Sequence, residues 1–497
     1  MRTILSILAV LGAVRLAHAD VTIHVGGAGA SDGNPGTTTE APVATIAHAL
    51  QLLGAAGGTV ALAPGVYNGL VTLAPGVTIA GDAPVTDATL ASTGRTPRDY
   101  PKVAVLTNTG GDRVVVAKAL TARAALHDLV IIGTDQKAIS ASSYGVVIES
   151  SPDVVLTAIK LVAGHGGPGA QGTTGPKATA TCTAGGTGGT GRSFTTDKQV
   201  CNTQGSAGMT YCHTYPFQDC ASDPGQEGVT AEHARGGAGG KPGNSYCLNA
   251  SNENGTRGKD GDDGKSPTAA PGGKRERDEF GSFDAGDAAL RWIGRPGGNG
   301  VEGNSGGGGG GGGAGGSVVS YYWSSTCTEK TLLGQTGQTG GRGGCGGGSG
   351  GGGGQGGSSF GVVVKDAKVS TARVAVLQGT GGDGGPGGPG GEGAPGEPRG
   401  TPPADEHYTS TWCWIGGYWY SGSQGAGGGG GHGSTGGGGA GGNGGLSVGA
   451  ALIGTGEIGA FSAHGGKGGA GAAGGDTHAE RGAQPAAVAE QKYPAKP

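Results

Sequence analysis

The chain has 497 residues, of which 120 are glycine, and a formal charge of -4 from 33 Lys and Arg against 37 Asp and Glu. Aromatic residues make up 5% and charged residues 14%, a balance that excludes an ordinary globular domain, where glycine is about 7%. A near-neutral, slightly acidic chain also lacks the basic field that nucleic acid or anionic lipid requires.

Residues 1–19 read as a signal peptide. Arg2 precedes an apolar run from Ile4 to Val14, and Ala17-His18-Ala19 is a small-residue cleavage site before Asp20. The expectation is a secreted protein with a bacterial-looking leader, in the extracellular space or on the cell surface, with no membrane span, because no later stretch approaches 18 uninterrupted apolar residues.

From Asp20 the residues predict a short strand, a Gly/Asn/Pro loop, one helix from about Val43 to Leu53, and then short strands broken at Pro64-Gly65 and Pro75-Gly76. Ile46, Ala49, Leu50 and Leu53 stand at helical spacing and Gly54 stops the helix. Strands of three to five residues between tight corners suit the coils of a solenoid. Asp32-Gly33-Asn34-Pro35-Gly36-Thr37, Thr45-Ile46, Gly57-Gly58-Thr59-Val60 and Pro64-Gly65-Val66-Tyr67 carry a resemblance to secreted right-handed parallel β-helix proteins of the pectate-lyase-like superfamily. The resemblance covers about residues 20–165 and implies a capping helix followed by the first coils. It implies little about activity, since that superfamily includes lyases, hydrolases and proteins without chemistry.

A coil-like unit recurs from Tyr144, from Phe360 and from Leu446: an apolar strand, a polar corner, a second alternating strand, and an exit into glycine. A weaker copy begins at Ser317-Val318-Val319. The spacing is irregular, so one coil repeats while the insert leaving it varies in length. The resulting division is an N-terminal cap and first rungs at 20–163, Gly-rich Cys-containing inserts at 164–358 with a rung near 317–323, and a rung at 359–380. A Gly-rich and aromatic insert at 381–445, a rung at 446–464, a Gly-rich segment at 465–477 and a flexible tail at 478–497 follow.

In the inserts glycine falls on every third residue, as at Gly166 to Gly175, Gly255 to Gly264, Gly297 to Gly315, Gly334 to Gly346, Gly381 to Gly396 and Gly465 to Gly474. Three is the period of the polyproline II helix, so each segment has one edge without side chains along which backbones can touch. The conformation makes no internal hydrogen bonds, and its N–H groups need partners on neighbouring helices. The expected arrangement is a polyglycine II bundle within one chain. In pattern it resembles the bundles of glycine-rich antifreeze proteins and phage tail adhesins. A flexible glycine linker is the competing expectation. The fold class is therefore all-β: a right-handed parallel β-helix with an N-terminal capping helix and a polyglycine II bundle.

Cys182, Cys201, Cys212, Cys220, Cys247, Cys327, Cys345 and Cys413 are disulfide candidates in an exported chain. Five of them precede residue 248, so full oxidation requires one of those five to pair with a later cysteine. No catalytic set stands out. His165 and His464 are placed at one exit corner of two rungs, and Asp112, Arg113, Asp128, Asp135 and Asp153 fall into no common face. Asp260, Asp262 and Asp263 raise calcium, but the EF-hand spacing is missing and a solvated acidic face is the favoured reading. No other cofactor or metal is expected. Trp412, Trp414, Tyr418, Trp419 and Tyr420 are contact aromatics for a glycan or a protein receptor, or alternatively pack on the solenoid flank. The expected function is a non-enzymatic structural or adhesive protein, or a subunit that self-associates into fibres. The alternative is a polysaccharide lyase or glycoside hydrolase.

Overall fold

The computed structural model describes residues 21–189, 191–204, 209–247, 255–275, 280–284, 289–320, 330–404, 407–413 and 417–494. The 1–19 leader, Cys327 and Trp414 lie outside them. The chain is mostly β, with few helices and two large parallel sheets.

The helix expected near Val43 forms at Ile46–Leu53 and buries Ile46, Ala49 and Leu53. It starts three residues late because Val43 bridges to Val25 as extended chain. Asp32 takes the N–H groups of Ala44 and Thr45 at 2.9 Å each, and the Thr45 hydroxyl caps His48 at 3.2 Å.

The rungs stack in register although long inserts separate them in sequence. In one sheet Ala124–Ile132, Val154–Val162 and Lys368–Thr380 lie side by side, so Ile131, Leu161 and Val376 form a buried ladder. Each strand turns mid-length at a residue of positive φ at the same level: Asp128 (53°), Ala158 (51°) and Arg373 (57°). In the second sheet Ser143–Glu149, Ser359–Lys365 and Ser447–Ile453 pair likewise, with Val146, Val362 and Ala450 aligned. One apolar core spans both sheets, through residues such as Leu126, Leu156, Val146 and Val364.

Two expectations are corrected. Val318–Ser320 is not a rung; it belongs to a three-stranded sheet with Tyr246–Cys247 and Lys330–Leu332. Its three residues follow a glycine segment that has already left the core. The tail is not free along its length: Ala487–Tyr493 pairs in parallel with Ser447–Ile453. Its Ala, Glu, Gln and Lys content reads as solvated, but a parallel sheet edge supplies backbone partners to any extended chain.

A segment given no role by its sequence ties the inserts to the second sheet. The hairpin of Gly281–Phe283 and Trp292–Gly294 covers that sheet's outer face. The Trp292 ring is tilted against Phe360 at 5.6 Å and meets Tyr493 edge-on at 5.3 Å, and the Trp292 backbone N–H donates to the Tyr144 hydroxyl at 2.7 Å.

The glycine segments run beside one another and share backbone hydrogen bonds at three-residue intervals. Gly166, Gly169, Gly172 and Gly175 donate to Thr380, Asp383, Pro386 and Pro389, and Gly357, Gly354 and Gly351 donate to Gly167, Ala170 and Thr173, all within 2.7–2.9 Å. The 297–316 segment sits at the centre. Gly309 donates to Gly341 (2.8 Å), Gly310 to Asp262 (2.9 Å) and Gly311 to Gln226 (2.8 Å). The three carbonyls accept from Gly186, Gly428 and Gly240 at 2.8 Å each. Six neighbouring segments thus surround it. This accounts for the unbroken glycines from Gly306 to Gly313: with all three edges in contact, no residue of the turn has room for a side chain. A Cβ on Gly309, Gly310 or Gly311 would overlap the carbonyls of Gly428, Ala238 or Thr187 respectively.

The centre should therefore be intolerant and the rim tolerant. Gly310→Ala is expected to lower stability by about 1–3 kcal/mol through overpacking, while Gln171→Ala on an outward position stays within about 0.5 kcal/mol. Thermal unfolding of the two variants checks this; equal effects would refute the packing argument.

Candidate functional site

The ends of the glycine segments define one region. At the level of residues 312–316, Gly312 and Ala314 accept from Gly189 and Gly243, Ala314 donates to Asp223, Gly315 to Gln335 and Gly316 to Thr256, and Gly422 donates to Gly316. The connections 190–222, 245–254, 317–333 and 401–421 all depart from this end, opposite the rungs. They hold four of the five tryptophans (Trp323, Trp412, Trp414, Trp419) and six of the eight cysteines (Cys201, Cys212, Cys220, Cys247, Cys327, Cys413). The glycine segments between contain no aromatic residue.

The described parts of these connections pair with one another. Gly191–Gln204 and Met209–Ser222 form an antiparallel hairpin whose register sets Cys201 opposite Cys212. His407–Cys413 and Gly417–Gly422 form a second, with Trp412 opposite Tyr418, Thr411 opposite Trp419 and Ser410 opposite Tyr420. Met209–Ser222 lies against Tyr246–Cys247 and Val318–Ser320, Val318–Ser320 against Gly417–Gly422, and Lys330–Leu332 against His407–Cys413. The aromatic hairpin is therefore at the far end of the glycine segments and not on the flank of the rungs. The backbone of Tyr420 is anchored there by the N–H of Gly255 at 2.8 Å.

Cys182 and Cys345 are joined in a disulfide across 163 residues of sequence, with Cα atoms 4.9 Å apart. This pair links the early cysteine group to a later cysteine, as the count required. The other six cysteine side chains lie outside the described residues.

The acidic run at 260–263 is engaged with the bundle. Asp260 Oδ1 accepts from the Ala426 N–H at 2.8 Å and from Arg257 at 2.6 Å. Asp263 Oδ1 accepts from the Gly429 N–H at 2.7 Å and from Arg399 at 3.1 Å. Carboxylates three residues apart thus clip one glycine segment to its neighbour. Asp383 does the same to Ala470 at 2.8 Å. Sequence reading missed this use; the signal available was the three-residue spacing of Asp260 and Asp263. Among the described residues no group of three His, Cys, Asp or Glu could hold a metal ion.

The remaining polar candidates stand apart. Register aligns His464 with Leu377 and hence with Val162, while His165 lies at the level of Thr380, so the two histidines do not share a corner. Gly465 and Gly466, both at positive φ, shift the exit in the last copy. His165 Nδ1 accepts from the Thr380 N–H, and the His165 backbone N–H donates to the Asp135 carboxylate, each at 2.8 Å. Asp112 grips Arg113 through both oxygens (2.8 and 2.9 Å), and the guanidinium covers the Tyr144 ring at 5.1 Å. Asp128 accepts from Val85 at 2.8 Å, and Asp153 faces Arg123 at 3.8 Å. These are corner and strut contacts.

One depression on the rungs is lined by Asp87, Leu90, Arg373, Ser462 and His464 among others. Behind it Lys160 is fully buried and donates to the Leu90 carbonyl at 2.7 Å. Burial, aided by the Arg95 guanidinium, pushes the Lys160 ammonium down to about 8. Burial and then Lys160 also lower His464.

No protein-family model matches the chain, and neither a curated protein nor a solved structure matches it. Among the described residues no helix is long and apolar enough to cross a membrane.

Two outcomes follow. Replacing Cys182 and Cys345 by serine should cost about 2–4 kcal/mol in reversible unfolding; an unchanged midpoint would mean the bridge adds no constraint. For Lys160, below about pH 8 both folded and unfolded chains carry the proton and the folded state bears the desolvation penalty. Between about pH 8 and 10.4 the unfolded chain binds more protons, so stability rises with pH. Lys160→Met should remove that rise and add roughly 1–3 kcal/mol at pH 7. Urea midpoints measured from pH 6 to 10 decide it, and an unaltered pH slope in the variant refutes it.

Proposed function

We infer that the protein is an exported, non-enzymatic structural or adhesive protein: a right-handed parallel β-helix base, capped by the Ile46–Leu53 helix, from which a rigid, disulfide-braced polyglycine II rod carries an aromatic tip. The observation that carries this reading is the segregation of chemistry along the molecule. The glycine segments spend their backbone groups on one another, and the tryptophan- and cysteine-bearing connections all leave from one end. Twenty residues of polyglycine II, as in 297–316, would project the tip roughly 60 Å from the rungs at about 3.1 Å per residue. A chain that needed only a catalytic cleft has no use for such a spacer. A glycan or protein receptor at a cell surface, or a neighbouring subunit of a fibre, is the partner such a tip suits, because Trp and Tyr offer large rigid contact area.

The second reading, a carbohydrate-cleaving enzyme, has one observation in its favour, the depression holding Asp87, Arg373, Ser462 and His464. Both readings are tested with the full-length secreted protein. Small-angle scattering should give an elongated particle, and a Trp412→Ala, Trp419→Ala variant should retain that shape and lose about tenfold or more in binding to cells or immobilised glycans, as tip anchors do. Unaltered binding in the variant sinks the tip reading. Depolymerisation of a polysaccharide that His464→Ala abolishes would replace it with the enzymatic one.

A further inference from the structure

The 465–475 segment lies in a groove between the 381–400 and 422–445 segments and fills only half of it. Along the filled half, Gly381, Gly384 and Gly387 donate to Lys467, Ala470 and Ala473, at 2.9 to 3.0 Å. On the other wall Gly469, Ala472 and Gly475 donate to Gly445, Gly442 and Gly439, at 2.8 to 3.1 Å. Each step advances three residues, so the occupant is held from both sides in one register.

At Asp476 the chain leaves the groove. The Asp476 carboxylate takes the N–H groups of His478 and Ala479 at 2.8 Å each, also accepting from Gly438, and the chain folds back so that Gly482 donates to Ala472. The two walls continue past this turn. Gly436 and Gly433 still donate to Gly391 and Ala394 at 2.9 Å, which keeps the walls at the same separation. The next three donors in the lane, Gly390, Gly393 and Gly396, and the next three acceptors, the carbonyls of Gly436, Gly433 and Gly430, have no backbone partner among the described residues. Gly390, Gly393, Gly396, Gly430 and Gly433 are partly exposed, as is Gly384 under the chain's own strand, whereas Gly381, Gly387 and Gly436 are buried.

We propose that this open half is a docking groove for a strand of another protein that carries glycine at every third residue in the extended three-residue-per-turn form, a collagen-type Gly-x-y sequence. The argument is continuity with the filled half. A partner continuing the row would accept from Gly390, Gly393 and Gly396 and donate to Gly436, Gly433 and Gly430. Its wall-facing residues must be very small: a Cβ on Gly469 or Gly475 would overlap the carbonyls of Gly382 or Gly388, and the one alanine in that register, Ala472, bonds at the longest distance, 3.1 Å. Side-chain specificity would come from the rims, where His432, Thr435, Pro389 and Pro395 are exposed. This rests on the rod of stacked helices described under Proposed function.

The probe is a synthetic peptide copying residues 465–475, GGKGGAGAAGG, added to the full chain and followed by amide hydrogen exchange. Without peptide, Gly390, Gly393 and Gly396 should exchange faster than Gly381, Gly384 and Gly387. With peptide at about ten times its Kd, the three fast amides should slow about tenfold. A second peptide with sarcosine at the positions of Gly469, Ala472 and Gly475 lacks the donors and should give no protection. No protection by the first peptide, or equal protection by both, overturns the proposal. Protection of the same amides by self-association at rising protein concentration, without peptide, would overturn the foreign partner in favour of a second copy. If Gly381, Gly384 and Gly387 also exchange like free glycine, the rod reading itself fails.

Discussion

Everything in this molecule beyond its rungs depends on backbone N–H groups of one extended segment bonding to carbonyls of another at a distance only glycine permits. Ordering glycine is entropically expensive, more so than for any other residue, and hydrogen bonds to water compete with those within the protein. The arrangement offsets this by saturation. Between Gly307 and Ala314 every N–H and every C=O of the central segment is bonded to a neighbouring segment, so each residue there gains two bonds and close contact without a large side chain having to be immobilised.

The same constraint sets where other residues stand. A glycine segment with one or two faces in contact tolerates a side chain on the remaining face, and those places hold the residues that stitch the rim. Asp260, Asp263 and Asp383 clip neighbouring N–H groups, Lys177 reaches Glu392 at 2.6 Å, and Asn443 takes the N–H of Ala483 at 2.8 Å. Exposed ion pairs of this kind contribute little individually. Their regular spacing holds register where backbone pairing alone would allow a slip by one triplet.

The rungs serve as the alignment device. Ser143–Glu149, Ser359–Lys365 and Ser447–Ile453 are fixed to one another by a buried apolar ladder, and the glycine segments beginning at 164 and 381 and those ending at 357 and 445 inherit that fixed level. Trp292 and Phe283 lock the outer face of the same sheet. Loop closure then penalises the inserts only weakly with length, because each begins and ends at a point the core has already placed.

Sequence alone determined the periodicities: the helix that buries Ile46, Ala49 and Leu53, the recurring strand unit from Tyr144, Phe360 and Leu446, and the glycine phase of three. These are local properties, visible wherever residue type repeats at the spacing of its own conformation. What only the tertiary structure decided is which segments meet. The unbroken glycines 306–313 have no period of their own, and their meaning, an extended segment touched on all edges, exists only when six other segments surround it. The strand at Ala487–Tyr493 and the clips of Asp260 and Asp263 were illegible for the same reason, since a backbone edge 40 residues away or an N–H 166 residues away leaves no mark on the local sequence. Likewise the gathering of Trp412, Trp419 and the cysteine-bearing connections at one end follows from the direction in which each glycine segment runs. That direction is fixed by hydrogen-bond partners and not by composition.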